Sequence, residues 1–579
     1  MSAVESSSND RFKGVAAVEL YKQVWTNKEK YIIFFGLFVF SWASNFEGNL
    51  TLSLTNKVTS LFESNNLISL LSTITYILQT ALLPIYSKLS DMFGRAHCYS
   101  IGLFFYILAF IVLATANNYN TLVGGQIIYA FGYSATSILG PIVVGDLTTV
   151  TNRGFFQGLY NLPSLFNIFV APRAAVLLYD HGQWRWGYGL VCIILAGTAI
   201  PLIGGLWYVH FKLKRSGLLE EYRAQQQTKS SPLEDADKNF FDKFIWVLIH
   251  IDVVGSLLLI AGLCLILLPL VLALTKWGGW QSGITIGTLV AGVVSWGLFA
   301  VWEWKFSPKP IIPLGNWKSQ TPLLGVLALS TVTLISSTNW QYYTTYLMVS
   351  RKLDVDTATY LERGYNVAYI VCEVVVGYLM KRSRKWRPFV WVGVSLMILG
   401  VGLMIPARLP TSSNAFVVIS QTIVGIGSGC LYIPILVAIQ SSVPHGDMAI
   451  VTAMMQVGGS IAASIGSTMS GAIWNSMLPG QMAKYVPGEY DYAKIVGSTT
   501  YAISLPEDQY NGVVKAYGHV QMVLSIIAIC IAVLTFCFTV PMKSFGLGDR
   551  PEQGQEIDEP SESVSHELEG YKSTSSTKL

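Results

Sequence analysis

The chain has 579 residues, of which 52% are hydrophobic and only 12% charged, with a formal net charge of +4. A soluble protein of this length carries roughly a quarter charged residues. The composition therefore excludes a fully water-exposed surface and requires apolar area to be buried in lipid. So small a net charge excludes no class of partner, because in a membrane protein the distribution of charge matters more than the sum.

In chain order, residues 1–30 are polar and read as a cytoplasmic tail. The first apolar run begins only at Tyr31 and lacks the small-residue cleavage site of a leader. A helix needs about 20 apolar residues to cross the hydrocarbon core. Such runs recur at 31–54, 67–87, 98–116, 122–145, 155–179, 188–209, 247–272, 282–303, 322–346, 358–380, 388–406, 414–440, 449–474 and 516–541, which predicts fourteen spans. Lys88, Arg95, Arg153, Lys212, Lys214, Arg215, Lys305, Lys309 and the run from Lys381 to Arg387 all fall on alternate connections, whereas Lys276 stands alone between the seventh and eighth spans. That is the positive-inside pattern, and it places both termini in the cytoplasm. Residues 210–246 are charged, contain Gln225–Gln227 and divide the chain after six spans. Residues 475–515 form a long outer connection, and a loop of that length is functional or disordered. The tail 542–579 is rich in Ser, Glu and Gly and reads as disordered. The seven cysteines, Cys98 to Cys537, show no C-x-x-C pair and read as small apolar residues within helices.

After the second span the chain reads Ser87-Lys88-Leu89-Ser90-Asp91-Met92-Phe93-Gly94-Arg95. An acid followed three residues later by Gly and then a base suits a tight turn in which the charges pair and cap a helix end. The run resembles the loop motif of the major facilitator superfamily, where such a contact would latch one face of the protein. Asp91, Gly94 and Arg95, with Asp146 and Arg153 after the fourth span, are the latch candidates. A related run, Gly377-Tyr378-Leu379-Met380-Lys381-Arg382, follows the tenth span with Lys381 in place of the acid, as an internal repeat would give. The resemblance implies an all-α major facilitator fold of two six-helix bundles plus two additional helices. Its parts are the tail 1–30, a bundle at 31–209, the linker 210–246, two inserted helices at 247–303, a second bundle at 304–541 and the tail 542–579.

Within the superfamily, several stretches resemble the fungal siderophore-iron transporter family. They include Tyr129-Ala130-Phe131-Gly132-Tyr133, Asp146-Leu147-Thr148 with Arg153-Gly154, and Trp184-Arg185-Trp186-Gly187-Tyr188-Gly189. Further on come Asp252-Val253-Val254-Gly255, Gln440-Ser441-Ser442-Val443-Pro444-His445 and Gly471-Ala472-Ile473-Trp474. The resemblance covers about residues 30–545. It departs at Glu47-Gly48, where the family usually has Asp-Gly, and at Ala171-Pro172, where a Gly-Pro pair is usual in antiporters. It implies a proton-coupled importer of ferric siderophores of the hydroxamate type, working by alternating access as a monomer in the plasma membrane, with a vacuolar or endosomal membrane as the alternative. An exporter or exchanger of drugs or a thiol tripeptide, an importer of haem or another iron compound, and a non-transporting nutrient sensor are the competing readings. The expected partners are the siderophore, protons and the lipid bilayer. No nucleophile–base set, Walker-type loop or cofactor fingerprint is present in the sequence, so no enzyme activity, cofactor or nucleic-acid partner is expected.

Ionisable groups inside spans are functional candidates by default. Glu47 in the first span and Glu373 in the tenth are the proton-coupling candidates, because a carboxylate withdrawn from water favours its neutral form and can release the proton when water returns. Asp252 and Glu303 sit at helix ends and suit structural pairing. Arg173 and Arg363 are expected to pair or reach outward. Trp340, Tyr342, Tyr343 and Tyr346 at the end of the ninth span, and Tyr129 and Tyr133 in the fourth, suit a bulky amphipathic ligand, with an interfacial aromatic belt as the alternative for the ninth-span run. His97, His250, His445 and His519 lack metal-ligand spacing, so the chelator rather than the protein would coordinate the iron.

Overall fold

In lipid a lone apolar segment can satisfy its backbone groups only by becoming a helix, and the long apolar runs do so. The computed structural model describes residues 26–61, 68–148, 150–216, 240–273, 277, 279–307, 320–409, 411–443 and 448–546, and secondary structure there is helical. Residues 1–25, the linker between 217 and 239, the tail from 547, and the singled-out Lys276, Lys309 and His445 lie outside the described residues.

The first bundle comprises α1 (Asn27–Leu61), α2 (Ile68–Phe93), α3 (Arg95–Ala114), α4 (Tyr119–Leu147), α5 (Val150–Asn161) with α6 (Ser164–Asp180), and α7 (Trp184–Arg215). Helices α5 and α6 form one crossing that breaks at Leu162-Pro163, because a proline disfavours helical geometry at the residue before it. A short α8 (Phe240–Ile251) leads into the inserted pair α9 (Val253–Leu272) and α10 (Gly283–Val301). The second bundle follows as α11 (Thr321–Trp340) with α12 (Tyr343–Arg351), α13 (Val355–Glu362) with α14 (Gly364–Ser383), α15 (Arg387–Ala407), α16 (Asn414–Ser441), α17 (Met448–Tyr485), the short α18 (Tyr492–Gly497) and α19 (Thr499–Ile503), and α20 (Glu507–Thr539).

Among the described residues twelve helices are long and apolar enough to cross a membrane, which establishes a multi-pass membrane protein. This is two fewer than the sequence predicts; α1 and α14 are not among the twelve. Each bundle has its own apolar core, built around residues such as Phe40, Phe110 and Leu195 in the first and Val394, Met397 and Leu436 in the second. The bundles meet chiefly along two helix pairs, α2 with α17 and α5 with α14, with smaller contacts such as α6 with α13. The inserted pair packs through Leu259, Leu263, Leu267 and Phe299 onto Ile77 of α2. Its entry is fixed by Asp252, at φ 56°. One Asp252 oxygen accepts from the Gly255 amide at 3.1 Å and Trp302 Nε1 at 2.8 Å, and the other from Ser307 Oγ at 2.8 Å.

The connection at 475–515 differs most from expectation. Residues 475–515 are largely helical: α17 runs on to Tyr485, and α20 starts at Glu507. The cause is a third core in which Trp474, Leu478, Met482 and Val486, spaced by four, meet Tyr510, Val513, Val514 and Tyr517. Helices α17 and α20 therefore stay paired beyond the point where hydropathy alone would end them.

Candidate functional site

Between the bundles lies a cavity of about 350 Å³. Its lining is polar but uncharged: Ser44 and Asn45 from α1, Gln79 from α2, Tyr129 and Tyr133 from α4, and Tyr160 and Asn161 from α5. Tyr432, Gln456 and Ser460 close it from the second bundle. Serine, asparagine, glutamine and tyrosine offer both donors and acceptors, so the cavity suits a neutral ligand rich in hydrogen-bonding groups.

Each carboxylate predicted in the spans stands one residue behind this lining. Glu47 is fully buried. Its Oε2 accepts from the Tyr106 hydroxyl at 2.6 Å and from that of Tyr129 at 3.4 Å, while Oε1 has no hydrogen-bond partner. Tyr129 and Tyr133, one turn apart on α4, stack at 5.4 Å, and Tyr106 meets Tyr129 edge-on at 5.6 Å. Glu373 is also fully buried. Its Oε2 accepts from Asn161 Nδ2 at 3.0 Å, and Oε1 again has no partner. Beside it Tyr365 and Tyr369 stack at 5.9 Å, and Tyr432 packs edge-on against Tyr369 at 6.1 Å.

Asp91, Arg95 and Asp146 come together at the end of the bundles where the basic connections gather. Arg95 binds Asp91 at 2.5 Å and Asp146 at 3.2 Å, and all three are buried. Gly94 turns the chain at φ 94°, a left-handed value that a side chain disfavours. Arg153 is buried on α5, beside Gly145 of α4.

The aromatic run at the end of α11 is placed differently. Trp340, Tyr342, Tyr343 and Tyr346 do not line the cavity. Tyr342 stacks on Trp474 at 4.7 Å and donates to Ser69 of α2 at 3.2 Å. Tyr343 lies under the Arg408 guanidinium at 4.4 Å, and Tyr346 donates to the Arg408 carbonyl. Trp340 reaches Tyr365 at 4.9 Å and donates to Gln421 at 3.3 Å. The ring faces pack in a core, and the Tyr342 and Tyr346 phenols find hydrogen-bond partners nearby. Arg173 pairs with Asp356 at 2.8 Å across the bundles, and Arg363 is buried. Sequence reasoning missed Tyr106, Asn161, Tyr369 and Tyr432. The Tyr365–Tyr369 spacing of four was a usable signal; nothing in the sequence marks Asn161 as a partner of a residue more than 200 positions away.

Two helical bundles facing a shared cavity define a membrane transporter, and the comparisons agree. The Major Facilitator Superfamily model matches residues 32–271 and 253–467, so the chain belongs to that superfamily. The fold alone is shared with an auto-inhibited peptide transporter of the POT family (TM-score 0.53, 12% identity, 90% of this chain and 99% of that one). A bacterial homologue of the lysosomal transporter Spinster is similar too (TM-score 0.51, 12% identity, 89% and 97%). The chain is 30% identical over 85% of its length, and 80% of the relative's, to siderophore iron transporter mirC of Emericella nidulans. It is 29% identical, over 87% and 82%, to MFS siderochrome iron transporter C of Aspergillus fumigatus. Against siderophore iron transporter 1 of Schizosaccharomyces pombe the identity is 28%, over 91% and 84%. Within the superfamily the chain thus belongs to the fungal siderophore-iron transporter family.

Proposed function

We propose that the chain imports ferric siderophores of the hydroxamate type, coupled to protons, by alternating access. The observation that carries this beyond family membership is the uncharged, hydrogen-bonding cavity with a buried carboxylate behind its tyrosines. Three singly charged hydroxamates cancel the charge of ferric iron, so such a chelate presents polar oxygens without net charge and needs no counter-ion in the lining. Tyr129 and Tyr133 are the substrate-contacting residues among the sequence candidates. Glu47 carries the proton: sealed in the first bundle it suits the neutral acid, and water reaching it on opening lets the proton leave.

The bundles touch at both faces, through Thr73 with Thr468 at 3.4 Å on one side and the Gly154–Gly377 approach on the other. The described conformation therefore holds the bundles in contact at both ends. A cavity of this size lies at the small end of ligand sites, about 300–1,000 Å³, and a wrapped iron chelate enters only when the bundles part. The latch of Asp91, Arg95 and Asp146 biases that movement.

Fourteen crossings remain the favoured count. Helices α1 and α14 have 35 and 20 residues, enough to cross at 1.5 Å per residue, and each carries one of the buried acids that lower its hydropathy. An even count puts both termini on the basic face, which is then cytoplasmic. The home is the plasma membrane, and the working unit a monomer.

The test is uptake of radiolabelled iron on a panel of chelators, in cells lacking their own iron uptake. Saturable, protonophore-sensitive accumulation of iron on neutral hydroxamates is expected. Accumulation of none of the chelates overturns the reading.

A further inference from the structure

Glu373 differs from Glu47 in where its hydrogen bond goes. Asn161 belongs to α5 of the first bundle and Glu373 to α14 of the second, so the 3.0 Å bond crosses the seam that must open. The two helices meet there backbone to backbone. A Cβ on Gly377 would lie 2.7 Å from the Gly154 carbonyl oxygen, and one on Gly158 would lie 3.0 Å from Val374 Cα and 3.2 Å from the Glu373 carbonyl oxygen. Glycines at these positions bring the helices into direct contact, and that contact seals Glu373 from the basic face.

The groups facing the carboxyl are few. From α5 comes the Asn161 amide, from α14 itself Tyr365, Tyr369 and Cys372, and from α16 Tyr432 packed on Tyr369. Among the described residues no ion pair joins a cation to Glu373; Arg153 and Lys381 lie nearer the basic face on the same two helices. A charged carboxylate met only by the neutral Asn161 amide and Tyr369 phenol, with no cation, is not compensated for its lost hydration, whereas the neutral acid is readily accommodated.

We propose that the Asn161–Glu373 contact is the trigger of the gate at the basic face. With the carboxyl protonated, α5 and α14 stay sealed. When Glu373 gives its proton to water on that face, the carboxylate demands hydration and the helices part. The proton leaves on the side toward which the cavity opens, so release and opening are one event. This rests on the alternating-access reading above, and it adds a gate to the proton carrier assigned to Glu47.

The test needs no siderophore. Spin labels are placed on Lys214→Cys at the end of α7 and Arg382→Cys at the end of α14, both exposed. The background carries Cys530→Ser and Cys537→Ser, the exposed native thiols. The distance between labels is measured in the full chain in lipid nanodiscs at acidic and at neutral pH. The unsubstituted position 373 should give a single short distance in acid and a shift toward longer distances at neutral pH. Glu373→Gln, which keeps an acceptor for Asn161, should hold the short distance at both. Glu373→Asp should retain the pH-dependent shift, which separates loss of the acid from loss of the fold. If Glu373→Gln follows the parent protein, or the parent shows no shift, the proposal is overturned. A clear shift in a chain that transports no ferric siderophore sinks the substrate reading and leaves the gate standing.

Discussion

The two bundles carry the same chemistry in different mechanical settings. In the first, Glu47 is held by Tyr106 and Tyr129 within one bundle. In the second, Glu373 is held by an amide from the opposite bundle. Each acid has one oxygen bonded and one without a partner, and each has a stacked tyrosine pair beside it. On the proposed mechanism, a proton gained or lost inside one bundle changes the cavity wall, whereas one at the seam changes whether the bundles hold together. The difference lies in who supplies the hydrogen bond, not in the acid itself.

The comparison breaks first at Glu47. Glu47→Gln should abolish uphill accumulation driven by a pH gradient while siderophore binding at equilibrium stays within about threefold, less than 1 kcal/mol. Glu47→Asp should keep partial transport. Uptake across an imposed gradient, with and without protonophore, measures both. Protonophore-sensitive concentration by Glu47→Gln would pass the carrier role to Glu373 and erase the division of labour.

The next largest effect concerns the proposed latch at the basic face. Arg95→Ala leaves Asp91 and Asp146 buried together without their shared cation, and breaking such a pair costs about 3–5 kcal/mol. Transport should fall by more than about tenfold, equivalent to ~1.4 kcal/mol or more on the rate-limiting step. Asp91→Asn, which leaves Asp146 paired, should slow transport less. In both variants the affinity for substrate should hold, because the cluster lies outside the cavity; equal losses in affinity and rate would place it in the site.

Much of this was legible in the sequence, and the reasons for the rest are physical. Glu47, Glu373 and the Asp91–Arg95 spacing stand out because charge in an apolar run is costly and therefore conspicuous. Tyr129 and Tyr133 were legible as a one-turn pair. The same rule left the surroundings of Tyr342, Tyr343 and Tyr346 open: spacing shows that rings share a face, but not whether the face meets a cavity or Trp474. The helical ends of the 475–515 connection were also hidden, since Leu478 and Met482 become core only against Val513 and Tyr517 of a distant segment. Asn161 was invisible because its importance comes from a helix packed across the seam.

The smallest expected effect is the sharpest check on the role of that aromatic run. Tyr133 lines the cavity, while Tyr342 donates across the opposite face to Ser69 and stacks on Trp474. Tyr133→Phe removes a polar group from the lining and should raise KM several-fold, since a hydrogen bond contributes about 0.5–1.5 kcal/mol net. Tyr342→Phe keeps the stacking ring and loses only the inter-bundle hydrogen bond, so KM should change by less than about twofold, under ~0.5 kcal/mol. Its signature should instead be kinetic. The closed contact between α2 and α17 loses one hydrogen bond while Thr73 still reaches Ser467 and Thr468 at 3.4 Å. Opening toward the side away from the basic face should therefore become modestly faster. Initial uptake rates over a range of ferric hydroxamate concentrations separate the two parameters. If Tyr342→Phe raises KM as much as Tyr133→Phe does, the aromatic run belongs to a binding surface that forms once the bundles part, and the two regions share the substrate.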